Sequence, residues 1–332
     1  MMDYIALTEQ LVNKCLKKGA DAAEVYCESS RNLSVSIRNT EIETVEQAES
    51  HGVGIRVIAK GRMAFSSCND LSEAALEETV SSAVKFAAIM TADENNVLPQ
   101  DKGITEVEGL YDPQISLVPM ETKINLAKEI EELAMKDSRI TKSGGAGYSE
   151  GEGQIFIANS NGLSKNYKAS SCSFGVSVIA EKGDQKSPGG ESCNRRHYSD
   201  LKKPAEIAEK AIQEAVQMLD PRMVKTQRAA VIFDSDVARS ILGGILSAIN
   251  GESVLQGASF LRERLDMAIS SDLITIIDDG TLPKGLGSKW FDGEGVPTQK
   301  RIIVERGVLK NFMYNTITAK RAGVKSTGNA SR

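Results

Sequence analysis

The acidic and amide side chains near the C-terminal end of the sequence are the residues best suited to hold a ligand. They lie in two short stretches with glycine, Asp278-Asp279-Gly280 and an octapeptide that runs from Asp292 to Gln299. Carboxylates and an amide can accept hydrogen bonds from the N–H groups of an extended peptide, and the amide can also donate. The predicted substrate-binding candidates are Asp278, Asp279, Asp292, Glu294, Thr298 and Gln299.

Turn chemistry explains the same residues without a ligand, and this interpretation stays open for each of them. Gly293 and Gly295 supply unusual backbone dihedrals and Pro297 is typical of a strand edge, so 292–299 is expected to form a hairpin. Two aspartates at 278 and 279 fall short of the six or more oxygens that calcium requires. A turn is the preferred interpretation there, after a buried strand predicted over 273–277.

Residues that could bind a metal or act as a nucleophile are few and widely spaced. The two histidines, His51 and His197, stand far apart, and the five cysteines show no CxxC spacing. Zinc sites usually require His or Cys at short fixed spacings, so a zinc hydrolase built from this chain alone is disfavoured. No Gly-x-Ser-x-Gly elbow is present, and the glycine-rich stretch 143–153 lacks the following helix that a phosphate loop needs.

The first two thirds of the sequence predict a scaffold of helices and antiparallel strands. Alternating residues indicate strands, with turns at Arg31-Asn32, Arg38-Asn39 and Lys60-Gly61. The basic and glycine-containing stretch 182–196 is expected to be a mobile polar loop. Helical spacing and alternation predict, in order, a helix over 5–18, strands within 23–66, a helix over 71–90, a helix over 120–136, strands within 154–180 and a helix over 204–219.

We predict two domains, an N-terminal α+β domain over 1–220 and a C-terminal β-rich domain over 221–332. Within the first domain, the ranges 20–90 and 148–219 each contain strands followed by a helix. A similar run of residues ends one strand in each range. Either an internal duplication or a chance similarity of two strands accounts for this. The second domain is expected to begin with an apolar strand at 229–233 and a helix that Asp234 caps.

Composition narrows the classes of function. The net charge of −5 gives no basic excess, so nucleic-acid binding is not expected. Hydrophobic residues at 41% and charged residues at 26% are ordinary for a globular protein. No apolar run approaches the roughly 20 residues that span a bilayer, and no signal-peptide pattern opens the sequence. We therefore expect a cytoplasmic protein without a membrane or nucleic-acid partner.

Several ordered motifs extend this interpretation. They are Gly257-Ala-Ser-Phe-Leu261, the stretch from Ser271 to Gly280, the stretch from Phe291 to Gln299, Val304-Glu-Arg-Gly-Val-Leu-Lys310 and Ser326-Thr-Gly-Asn329. Together they resemble the TldD/PmbA family, which comprises peptidases and their partner subunits and was first described through modulators of DNA gyrase. The resemblance implies an α+β fold of antiparallel sheets with packed helices in two domains.

The sequence departs from the family pattern at the metal site. Catalytic members of the family carry His-Glu-x-x-x-His on the helix before the Gly-Ala-Ser segment, and a Cys ligand nearer the C-terminus. The matching positions here are Leu242, Gly243 and Ser247, and no Cys follows Cys193. None of these side chains can serve as the ligands or the general base. The resemblance therefore implies a PmbA/TldE-type subunit with no catalytic or metal residues of its own, and zinc only in a TldD-type partner.

The resemblance implies a non-zinc subunit of a TldD/TldE-type metallopeptidase complex that acts in proteolysis and peptide maturation. The alternative is a stand-alone homodimer that binds peptides without catalytic activity. The partner would accordingly be a TldD-type subunit or a second copy, and the ligand a peptide. Because relatives continue beyond the motif at 326–329, we expect the C-terminal domain to be incomplete or to be completed by a partner.

Overall fold

A long antiparallel sheet organises the chain from Ala22 to Arg195, as seen in a computed structural model that describes residues 3–332. The smaller C-terminal sheet has three strands. The helices are α1 (Tyr4–Lys17), α2 (Glu73–Ile89), α3 (Met120–Met135), α4 (Pro204–Gln217), α5 (Ser235–Ala248), α6 (Gly251–Leu255) and α7 (Thr316–Ala322). The strands are β1 (Ala22–Arg38), β2 (Glu41–Ala59), β3 (Arg62–Cys68), β4 (Ile140–Asn159), β5 (Ser164–Lys182), β6 (Gln185–Arg195), β7 (Ile276–Asp279), β8 (Lys300–Glu305) and β9 (Val308–Leu309).

The large sheet has the strand order β3-β2-β1-β4-β5-β6, and all neighbouring strands are antiparallel. Each half consists of a helix, three strands and a second helix. Alternation along the strands places apolar side chains on one face, where they form two clusters with the helices. Val25 and Cys27 pack with α1 and α2, and Val35 and Ile37 pack with α3 and α4. The predicted α+β class, with antiparallel sheets and packed helices, is confirmed.

Two predictions within the large sheet are wrong. The turn expected at Arg31-Asn32 does not exist, because β1 passes through these residues and stays paired with both neighbours. The segment 182–196, expected as a mobile loop, contains the whole of strand β6. The sequence showed no apolar alternation here, because the strand consists largely of serines, glycines and one cysteine. Small residues are needed since the backbone of α4 lies close to the strand beside Gly189.

The C-terminal region contains less regular structure than the sequence suggested. No strand forms over 229–233, where every residue is exposed, so this prediction is wrong. The strand predicted over 273–277 begins only at Ile276, and Leu273 is 88% exposed. Asp234 caps α5 as expected, by accepting from the Asp236 N–H. In the part of the chain that the structure describes, no helix combines the length and apolar character needed to cross a membrane.

Candidate functional site

The octapeptide from Asp292 to Gln299 forms the predicted hairpin, with its ends joined beside the large sheet. The Asp292 N–H donates to the Val296 carbonyl at 2.8 Å, and Phe291 forms a bridge with Pro297. Gly295 has a φ of +80°, and a β-carbon there would meet the side chain of Leu163 at 2.6 Å. Only glycine satisfies both the dihedral and this close approach.

Asp292 holds the turn together from inside. Its side chain is buried, and one carboxylate oxygen accepts the N–H groups of Glu294 and Val296 at 2.9 and 3.0 Å. The other oxygen accepts the N–H of Ala330 at 2.9 Å. Burial raises the pKa of Asp292 from 3.8 to about 6, although these backbone donors act in the opposite direction. The carboxylate thus joins two separate segments of the chain.

Glu294 takes part in a buried ionic cluster. One oxygen accepts from Arg56 of β2 at 2.9 Å, and the other accepts the Thr316 N–H at the start of α7 at 2.8 Å. Arg56 also donates to Glu24 of β1 at 2.8 Å. Arg332 contacts the second oxygen of Glu24, and burial lowers the pKa of Arg332 to about 10. The cluster fixes the octapeptide to the face of the large sheet that lies opposite the helices.

A buried lysine makes a second connection to the same loop. Lys165 of β5 donates to the Gly295 carbonyl at 2.9 Å and pairs with Asp101 at the same distance. It also donates to the Gly103 carbonyl. Because its side chain is only 4% exposed, these acceptors replace the water that the ammonium loses on burial.

The remaining candidates lie at the other end of the loop and near the surface. The Thr298 hydroxyl donates to the Lys289 carbonyl, whereas Gln299 is exposed. Asp278 accepts from the Asn329 amide at 2.9 Å. Asp279 accepts the Thr281 N–H and hydroxyl at 3.0 and 2.6 Å, which lowers its pKa. The pairing of β7 with β8 places Asp278 opposite Arg301 and Asp279 opposite Lys300, and the Gln299 side-chain oxygen accepts from Arg301 at 3.2 Å.

The structure therefore divides the six candidates into two groups. Asp292, Glu294 and Thr298 are buried, and their oxygens bond to groups of the same chain. Of the other three, Asp278 and Asp279 are half-buried and accept from Asn329 and Thr281, and Gln299 is exposed. Gln299 is therefore the one candidate of the six whose side chain is exposed to solvent.

The three positions that correspond to the zinc motif described above for catalytic members lie on α5. Leu242, Gly243 and Ser247 are all exposed, and the Ser247 hydroxyl donates to the Gly243 carbonyl at 3.1 Å. Leucine and glycine have no donor atom for zinc, and the serine hydroxyl is already bonded. Across residues 3–332 no group of three or more His, Cys, Asp or Glu side chains is arranged to hold a metal. These residues do not fit a zinc ion.

The buried cluster of Glu24, Arg56 and Arg332 was missed from sequence. The available signal was weak: Glu24 and Arg56 interrupt otherwise apolar strand segments, which is unusual for unpaired charges. Recognising them as partners required the register of β1 against β2, in which Glu24 lies opposite Arg56. Glu294 lies far from both strands in the sequence, so no local pattern linked it to Glu24 and Arg56.

Comparison with known proteins covers nearly the whole chain. Family models match three segments: the PmbA/TldA metallopeptidase domain 1 at 23–87, the central domain at 113–219 and the C-terminal domain at 226–332. Metalloprotease PmbA of Escherichia coli O157:H7 is 32% identical over 336 residues, which cover 98% of this chain and 73% of that protein. The Metalloprotease PmbA homolog of Haemophilus influenzae is also 32% identical, over 96% of this chain and 71% of its own length.

Solved structures agree with these matches. A crystal structure from Bacteroides thetaiotaomicron, described as a modulator of DNA gyrase, superposes with a TM-score of 0.91 at 28% identity and covers 98% of this chain and 75% of its own. TldE from Thermococcus kodakarensis has the same fold, with a TM-score of 0.84 at 24% identity over 98% of this chain and 73% of its own. The chain belongs to the PmbA/TldD family of metallopeptidase-like proteins.

Proposed function

We propose that this chain is the zinc-free, PmbA/TldE-type subunit of a cytoplasmic peptide-processing complex whose catalytic subunit is a TldD-type zinc metallopeptidase. The observation that carries the proposal is the chemistry of α5. At the positions of the family's zinc motif, Leu242 and Gly243 offer no ligand, and Ser247 bonds to the helix backbone. A chain with this helix can contribute binding surface to proteolysis and peptide maturation, but not the metal.

Within this complex, the partner's zinc would activate the attacking water, and this chain would help to hold the peptide. Gln299 supports this role because its exposed amide nitrogen can donate to a peptide backbone, while its oxygen, which accepts from Arg301 at 3.2 Å, has a second lone pair. Asp278 and Asp279, on the strand that pairs with β8, are the further acceptors of the same region. The buried residues Asp292 and Glu294 keep the hairpin that presents Gln299 in one conformation.

Exposed apolar side chains on α5 and in the segment 223–232 before it, together called the apolar patch around α5, support association with another subunit. Met223 and Ile232 are fully or almost fully exposed, at 102% and 98%, and Val224 is 78% exposed. On α5 itself, Ile241 and Leu246 are exposed by 48% and 45%. Apolar patches of this kind mark protein–protein contacts in many proteins. The patch includes the helix that carries zinc ligands in catalytic relatives, so a partner bound here would contact the region of the lost site.

Reconstitution tests the proposal. The purified chain, a TldD-type subunit from the same organism and their mixture are each analysed for bound zinc, for cleavage of an unstructured peptide and for mass in solution. We expect zinc only with the TldD-type subunit, no cleavage by this chain alone, and a mixed complex with higher activity than either subunit. Stoichiometric zinc and cleavage by this chain alone would overturn the proposal. A stable homodimer that binds peptide but ignores the TldD-type subunit would instead establish the stand-alone alternative.

A further inference from the structure

Half of strand β2 has a free edge. In the large sheet β3 pairs with β2 only from Val53 to Ala59, and β1 occupies the other side of β2. In the described part of the chain, no strand pairs with the outer edge of β2 over 41–52. Residues 41–51 are exposed on both faces, including Ile42 at 48% and Val45 at 45%. Unpaired N–H and C=O groups along such an edge can accept another strand.

The free edge is held in a fixed shape. Asn39 and Thr40, at the tip of the hairpin between β1 and β2, have φ values of 52° and 62°. Both of their N–H groups donate to the carboxylate of Glu131 on α3, at 3.0 and 2.6 Å. Glu131 is fully buried, so the tip is anchored to the body of the protein. An incoming strand would meet an edge that needs no further ordering.

The charged residues of this edge are acidic. Four glutamates, Glu41, Glu43, Glu46 and Glu49, lie on β2 between 41 and 52, and no lysine or arginine lies among them. On the inner side, Arg31 and Arg38 of β1 lie opposite Glu49 and Glu41 in the register, and in the described residues the one ion pair formed by these glutamates joins Glu43 to Arg38 at 2.8 Å. Because opposite charges on neighbouring strands are favourable and like charges are not, the free glutamates select a basic strand.

A cavity lies where the free edge meets the end of β3. Its volume is about 630 Å³, and its lining includes Ser50, Gly52, Gly54 and Glu28. A β-carbon on either glycine would meet only one atom within 4 Å, at 3.8 or 4.0 Å, and neither glycine has a positive φ. Neither packing nor backbone conformation therefore requires glycine here. Their lack of side chains leaves space beside the carboxylate of Glu28 for a long cationic side chain.

We propose that the outer edge of β2, residues 41–52, binds an extended basic segment of another polypeptide by strand addition, with lysine or arginine side chains near the glutamates and one in the cavity beside Glu28. The occupant continues the sheet in line with β3. A second copy of this edge is disfavoured as the occupant, because two rows of glutamates would face each other. The inference stands apart from the proposed function, since none of these residues lies on α5 or in the octapeptide.

Three labelled decapeptides test the proposal with the full chain: alternating Lys and Thr, alternating Gln and Thr, and alternating Glu and Thr. We expect the Lys-Thr peptide to bind most tightly, with an affinity that falls as ionic strength rises. Hydrogen exchange should slow at the amides of 41–52 when this peptide is bound. Binding of the three peptides with equal affinity, or protection elsewhere without protection of 41–52, would refute the proposal.

A pair of charge-matched variants separates this edge from general electrostatic attraction. Glu41→Gln/Glu46→Gln/Glu49→Gln should weaken the Lys-Thr peptide about tenfold, from the loss of three negative charges beside the bound lysines. Glu121→Gln/Glu129→Gln/Glu132→Gln removes the same charge from the exposed face of α3 and should leave binding unchanged. Equal weakening by both variants would contradict strand addition at β2. Sedimentation that detects self-association of the chain through this edge would also contradict the proposal, because a second copy would then be the occupant.

Discussion

Arg56 and Glu294 are 238 residues apart in the sequence, yet their side chains meet at 2.9 Å. Both are nearly inaccessible, at 5% and 7% exposure, and Arg56 also pairs with Glu24, which is fully buried. Two strands of the large sheet are thereby joined to the loop that carries the most recognisable motif of the sequence. The acidic residues of that motif connect parts of the fold, which explains why the motif combines carboxylates with glycines.

Replacing Arg56 tests the strength of this connection. Arg56→Ala leaves Glu24 and Glu294 buried without their shared counter-charge, and we expect the free energy of unfolding to fall by about 3–5 kcal/mol. Urea denaturation followed by circular dichroism measures the change. Arg139→Ala is the control, because Arg139 forms an exposed pair with Asp137 whose loss should cost less than about 1 kcal/mol. Similar losses in both variants would show that the buried cluster contributes little.

The carboxyl of Asp292 predicts a dependence of stability on pH. Burial raises its pKa in the folded protein to about 6, against an ordinary value of 3.8. The folded state therefore binds this proton more tightly, and the stability it contributes is complete below about pH 4 and lost as pH rises through about 6. The shift corresponds to about 3 kcal/mol between these limits.

Asp292→Asn isolates this contribution. The amide can still accept from Glu294 and Val296 through its oxygen, but its NH₂ group cannot accept the N–H of Ala330. We expect the variant to be destabilised most near pH 4 and less at pH 7, when unfolding free energies of both proteins are compared by urea denaturation. A difference that stays constant over this range, or grows toward pH 7, would contradict a raised pKa for Asp292.

Gly189 sets the distance between α4 and the edge strand β6. A β-carbon at this position would lie 2.3 Å from the backbone nitrogen of Ala215 and 2.5 Å from the carbonyl oxygen of Ala211. Since helix backbone cannot yield as a side chain does, Gly189→Ala should cost about 1–3 kcal/mol of stability. Gly153→Ala in β4 is the control, because a β-carbon there meets nothing within 4 Å. The melting temperature of Gly189→Ala should therefore fall below that of Gly153→Ala. Equal melting temperatures would exclude the close approach.

The sequence predicted the parts of the fold that alternate or repeat regularly. The helices and the strands rich in valine and isoleucine were found because their inward residues are apolar, as at Val25 and Val35. Strand β6 was not, because its inward positions, such as Ser187 and Gly189, are small and face a helix at close range. The opposite error occurred at 229–233, which was predicted as a strand because it is apolar. In the described chain these residues are exposed and have no strand partner.

The candidate site follows the same logic. The hairpin of the octapeptide was predictable because glycine and proline act locally, and Gly295 has the expected left-handed conformation. The partners of its acids were not, since Arg56 and Ala330 reach Glu294 and Asp292 only through the tertiary fold. Sequence patterns can identify which residues are unusual, but a choice between ligand binding and structural bonding depends on which donors the fold brings to them.

The apolar patch around α5 gives the last prediction. If it is the contact surface for a TldD-type subunit, Ile232→Asp should weaken the mixed complex at least about tenfold, because a carboxylate would have to lose its hydration in the interface. The side chain is 98% exposed in this chain, so the substitution should not change its own stability. Leu273→Asp is the matched control, since Leu273 is 88% exposed but lies outside the patch. Sedimentation of each variant with the TldD-type subunit measures the effect, and equal retention of complex by both variants would place the contact elsewhere.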